Sequence, residues 1–220
     1  MATSSLGSAV WSRRGASTMS KNLYAFMVCF WTASGIAFSG IVAWHTMLAE
    51  VEMGWGLAIG VMVCAIAGIL LSSLSDNPVV SLVGYALVAG PFGVLLGPTL
   101  ALYATVVIWK AFFITSAVVI VLGMIGAAYP KSLESWSGPL FGALLILLGG
   151  YFIIPIGGLF GFHMATGLMM WDWVGLVIFG AMVIFDLNRA MRVPRTLDNS
   201  IDCAVALYLD FVFLCALPHG

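Results

Sequence analysis

A 220-residue chain that is 62% hydrophobic and only 8% charged, with mean hydropathy +1.12, is not an ordinary soluble domain, in which about a quarter of residues carry charge. Its formal net charge of −1 offers no basic surface for nucleic acid. The four cysteines, Cys29, Cys64, Cys203 and Cys215, stand singly in apolar runs. They lack the spacing of a metal site or a disulfide framework and read as small buried hydrophobes.

Residues 1–21 carry Arg13, Arg14 and Lys21 among many Ser, Thr and Ala, and the first acid in the chain is Glu50. That composition fits a mitochondrial transit segment, and it equally fits a cytosolic-side tail under the positive-inside rule. Apolar stretches near twenty residues then predict seven membrane spans between residues 22 and 217, with a short tail at 218–220. They run at about 22–44, 55–74, 79–99, 104–127, 138–156, 171–188 and 202–217. The last two are near the lower limit for crossing a bilayer.

Charge supports the odd count. Arg13, Arg14, Lys21, Lys131, Arg189, Arg192 and Arg195 all fall on one side, while Glu50, Glu52 and the Asp172 loop fall opposite. Lys110 lies within the start of the fourth span and can snorkel to the surface. Glycine pairs at Gly56/Gly60, Gly93/Gly97 and Gly138/Gly142 offer small faces for close helix approach. In "GPFGVLLGPTL", Pro91 and Pro98 each remove an amide donor and should bend or unwind the third helix, for packing or to line a conduit. The run "GGYFIIPIGGLFGFHM" reads as a loose helix end or re-entrant loop, and His45, His163 and His219 as interfacial.

Two carboxylates stand out. If the seventh helix begins at Asp202, Asp210 lies about 12 Å further along its axis, too deep for a helix cap. A carboxylate there must find a partner, face a wet cavity or take up a proton. Asp186, three residues before Arg189, suits an ordinary local ion pair as well as a site. Together, on consecutive antiparallel spans, the two would couple their titrations. Neutral, they could share a proton and hold two helices together; ionised, they would repel or admit a cation such as Ca²⁺.

Those residues carry a family resemblance. "IFDLNRAMR" resembles the sixth-helix signature of the Bax-inhibitor-1, or transmembrane Bax-inhibitor-motif, family. "IDCAVALYLDFVFL" is similar to its seventh-helix signature, with Asp202, Ala206, Leu207, Tyr208, Leu209, Asp210 and Phe211 in register. The layout extends the likeness over about residues 22–217, although only the last thirty or so positions are specific. The resemblance implies an all-α integral membrane protein, a seven-transmembrane-helix bundle related to proton-sensitive calcium leak channels. Some relatives protect against programmed cell death, and the family has mitochondrial inner-membrane, endoplasmic-reticulum and bacterial branches. Asp186 and Asp210 match the family's aspartate pair, the pH-sensing latch in conducting members. The basic residue expected in the second helix is missing, since "GWGLAIGVMVCAIAGILLSSL" holds no Arg or Lys.

Two kinds of function follow. One is a pH-sensitive, calcium-permeable leak with Asp186 and Asp210 as latch and transient Ca²⁺ contact. Asp198 and Asp202 would then stand near its mouth, and Arg189, Arg192 and Arg195 would tune its field. The other is a non-conducting accessory subunit of a larger membrane complex, or a binder of an apoptosis-related or quality-control partner. An enzyme ranks below these, because no nucleophile–base pair or metal set is visible in the sequence.

Overall fold

The computed structural model describes residues 18–51, 54–158 and 164–216. Among them run seven α-helices: α1 (Lys21–Leu48), α2 (Trp55–Leu74), α3 (Pro78–Leu100), α4 (Thr105–Ala128), α5 (Ser137–Gly158), α6 (Met164–Ala190) and α7 (Leu197–Ala216). A short 3-10 turn, Glu134–Trp136, precedes α5. The fold is an all-α seven-helix bundle, and six helices are long and apolar enough to cross a membrane: α1 to α4, α6 and α7. Arg13 and Arg14 of the basic N-terminal stretch, together with His163 and His219, lie outside the described residues.

Local chemistry sets the helix ends. The Ser20 hydroxyl accepts from the amide of Leu23 at the start of α1. Asn77 accepts from Val79, 3.0 Å away, and Pro78 occupies the first position of α3, so the "SDNP" turn is a capped helix start. Thr196 accepts from the amide of Asn199 at the start of α7. This cap explains one departure from the sequence reading: α7 opens at Leu197, so the polar "LDNS" turn is helical and Asp202 is already its sixth residue. Likewise α6 spans 27 residues, and neither helix is short. Asp172, assigned to a loop from sequence, lies inside α6.

The helices group into two compact units. The first comprises α1, α2, α3 and the Ala190–Tyr208 stretch; the second runs over Val106–Arg189 and on from Leu209.

In the first unit, α3 continues past Pro91 and Pro98 as one helix instead of unwinding. Small residues on α3 let its neighbours come close. A Cβ on Gly84 would stand 2.7 Å from the carbonyl oxygen of Gly68 on α2, and one on Gly93 would stand 2.7 Å from that of Ser39 on α1. Of the three glycine pairs picked out from spacing, only Gly93/Gly97 makes such an approach. A Cβ on Gly56, Gly60, Gly138 or Gly142 would meet nothing within 4 Å among the described residues. Polar groups complete the packing. The Ser39 hydroxyl lies 2.8 Å from the Ala89 carbonyl and 3.0 Å from that of Gly35. Its single proton serves those carbonyls, so Tyr208 donates to Ser39 across 2.5 Å.

In the second unit, Leu147, Phe179, Val183 and Leu214 form the buried core. Phe179 stacks on Phe213 with ring centroids 4.8 Å apart. Trp171 donates its indole N–H to the Leu147 carbonyl, 2.8 Å away, and Tyr151 donates to Asp172, 2.6 Å away. The first half of "GGYFIIPIGGLFGFHM" is therefore regular α5 rather than a loop, while residues 159–163 lie outside the described residues.

The cysteines also depart from expectation. None is fully buried: Cys29 and Cys64 are exposed on apolar helices, and Cys203 and Cys215 are half-buried. A weakly polar thiol costs little against lipid, so membrane helices need not hide it in the core. His45, in the last turn of α1, is exposed as an interfacial residue would be.

Candidate functional site

The pair that sequence singled out comes together. The carboxyl groups of Asp186 on α6 and Asp210 on α7 are hydrogen-bonded to each other. A hydrogen bond between two carboxyl groups requires a proton on one of them. Asp210 is 1% exposed, and its Oδ2 has no hydrogen-bond partner among the described residues. Leaving a buried acceptor oxygen unpaired costs about 1–3 kcal/mol, so packing alone does not favour an aspartate at this position.

Apolar residues surround the pair on both helices. Val183 lies three residues before Asp186, and Leu214 four residues after Asp210, so each stands on the same helix face as its aspartate. Both belong to the buried core of the unit. Phe211, next to Asp210, packs edge-on to Phe112 of α4 at 5.7 Å. Arg189, exposed in the last turn of α6, acts electrostatically on Asp186.

Asn188 anchors this end of α6. Its amide nitrogen donates to the carbonyls of Gly126 at 3.1 Å and of Tyr129 and Lys131 at 3.2 Å. Its side-chain oxygen accepts from the amide of Leu133, 3.1 Å away. One side chain thus serves the C-terminal end of α4 and the chain that leaves it, where carbonyls lack partners along the helix. The sequence contained no periodic signal for this, because Asn188 closes the predicted sixth span and its partners lie 55 to 62 residues earlier.

The other predicted residues have different roles. Asp198 accepts from the Ser81 hydroxyl at 2.6 Å, and Asp202 accepts from Ser72. Both bonds lie in the first unit and tie α7 to α3 and α2. On α7 these aspartates precede Asp210 by about 18 and 12 Å along the axis. Arg192 and Arg195 are exposed between α6 and α7, and the Arg195 carbonyl accepts from the amide of Met19 at 2.8 Å. Among the described residues, no group of three or more His, Cys, Asp or Glu comes together as a metal site.

Compared with known families, residues 18–216 match the family described as Bax1-I, inhibitor of apoptosis-promoting Bax1. That span includes all seven helices and both aspartates.

Proposed function

The chain belongs to the Bax-inhibitor-1 family, and on that premise we propose that it is a proton-controlled, calcium-permeable leak pathway closed by Asp186 and Asp210. The carrying observation is the hydrogen bond between the buried Asp210 carboxyl and the half-buried one of Asp186. While they share a proton, α6 and α7 are held together. When the proton leaves, two like charges face each other in a low-dielectric setting. At about 4 Å and an effective dielectric of 20 their repulsion is about 4 kcal/mol, several times the net worth of one hydrogen bond. The pair must then separate or admit a cation, and carboxylate oxygens are the ligands a hard divalent ion prefers. Transient Ca²⁺ contact at Asp186 and Asp210 follows from this chemistry.

The family's basic partner on α2 is absent here, and Arg189 supplies the nearby positive charge from α6 itself. Asp198 and Asp202 act at the mouth only if the loop between α6 and α7 is wet, with Arg192 and Arg195 setting its field. The acid-free N-terminal stretch supports the mitochondrial inner membrane as the location.

The test is calcium flux through purified protein in liposomes as a function of pH. Flux in the parent should rise as pH rises through the titration of the pair. In Asp210→Asn the amide always carries a proton to donate, so the leak should stay low at every pH. Absent flux, or flux indifferent to both pH and the substitution, refutes the latch. A second reading, a non-conducting subunit of a membrane assembly, is favoured by the open faces of Gly56, Gly60, Gly138 and Gly142. Stable co-purification in a stoichiometric complex without flux would support it.

A further inference from the structure

Helix α6 carries a second carboxylate, buried, that the latch does not use. Asp172 is 8% exposed and bonded by Tyr151 of α5, as Asp186 is bonded by Asp210 of α7. The two aspartates lie 14 residues apart, about 21 Å along the axis, on nearly the same helix face. That separation is about two-thirds of a hydrocarbon core of about 30 Å. Between them the same face presents Leu176, Phe179 and Val183, at successive steps of four, three and four residues from Asp172. Phe179 and Val183 are 2% and 0% exposed and pack with Leu147 of α5 and Leu214 of α7.

A polar–apolar–polar stripe of this kind is not what packing alone favours. A buried aspartate at one end and a half-buried one at the other add desolvation cost without adding apolar contact. A conduction pathway does call for such an arrangement, with acidic stations at its ends and a constriction that stays dry when closed. Accepting the leak reading above, we propose that Leu147, Phe179, Val183 and Leu214 form the closed barrier of the pathway, with Asp172 at the mouth opposite the Asp186–Asp210 pair. Leu214 follows Asp210 by one turn and Val183 precedes Asp186 by less than one. Separation of the latch therefore moves two of the four barrier side chains directly, and α7 joins the two events.

Two measurements decide it. In liposomes, a membrane-impermeant cationic thiol reagent should modify Asp172→Cys, while Val183→Cys reacts at least about tenfold more slowly from either side, since a dewetted layer excludes the reagent. Peptide mass spectrometry on the full chain separates these sites from the native cysteines. Calcium flux through Val183→Asn should rise about tenfold at the pH where the parent is closed, because a polar group hydrates the layer. Val183→Thr, which keeps the side-chain volume, should move the same way by less and guards against misfolding of the asparagine variant. Val183→Cys labelling as fast as Asp172→Cys overturns the barrier. So does unchanged flux in both Val183 variants while the parent conducts, which leaves the leak reading standing. No flux in the parent or any variant removes both.

Discussion

Asn188 donates its side-chain amide to the carbonyl of Gly126 across 3.1 Å, and so ties α6 to the end of α4 two residues beyond Asp186. The same side chain reaches Tyr129, Lys131 and Leu133, and it is 2% exposed. Asn188→Ala leaves these backbone groups without that partner, at about 1–3 kcal/mol for each one that water cannot reach. Asn188→Asp should be worse, because it turns an oxygen towards three carbonyl oxygens. Thermal unfolding in detergent should therefore rank parent above alanine above aspartate. An aspartate variant as stable as the parent would show that the carbonyls are satisfied by other means.

Close approach on α3 yields a contrast between glycines that look alike in sequence. At Gly84 an added Cβ would meet backbone, the Gly68 carbonyl at 2.7 Å and the Ser72 amide at 2.8 Å, and backbone cannot swing aside. Gly84→Ala should cost about 1–3 kcal/mol, as overpacking does. Gly56→Ala, with open space around it, should be neutral or stabilise by up to about 1 kcal/mol through helix propensity. Unfolding midpoints of the two variants in one detergent test this directly.

The contact between Ser39 and Tyr208 joins α1 to α7 within the first unit. Tyr208→Phe keeps the ring and its edge-on contact with Tyr85 at 5.6 Å, and removes only the hydroxyl. Ser39 still has the carbonyls of Ala89 and Gly35. The loss should be about 1 kcal/mol. In a double-mutant cycle with Ser39→Ala, the coupling energy should be about 0.5–1.5 kcal/mol. Strict additivity would mean that the two hydroxyls do not depend on each other.

What the sequence made legible follows from what a bilayer demands. Apolar runs located the helices because lipid leaves no other way to satisfy backbone groups. Depth in an apolar run identified Asp210, and the matching register identified Asp186. Where reading failed, the cause was a contact between distant residues. Capping by Thr196 made "LDNS" helical, and the Ser72 and Ser81 partners gave Asp202 and Asp198 packing roles. Asp172 reads as a loop acid because its partner, Tyr151, lies 21 residues earlier on another helix. Glycine spacing held at Gly93/Gly97 and failed at Gly56/Gly60 and Gly138/Gly142 for a related reason: the pattern marks a small face but says nothing about whether a neighbour occupies it.

Arg189 offers the finest test of the latch, because it can be altered without touching either aspartate. Its guanidinium acts on Asp186 from the last turn of α6, where it is exposed and therefore screened. A nearby cation favours the ionised carboxylate, so Arg189→Gln makes the shared proton harder to remove. Flux that begins when that proton leaves must then begin at higher pH. The sign is fixed: the whole flux–pH curve moves upward in pH, modestly because the cation is screened, with its plateau unchanged. Raising the salt concentration in the parent should move the curve the same way by a smaller amount, and should have less effect on Arg189→Gln. A curve displaced to lower pH, or a lost plateau with no displacement, would show that Arg189 supports the structure and leaves the proton alone.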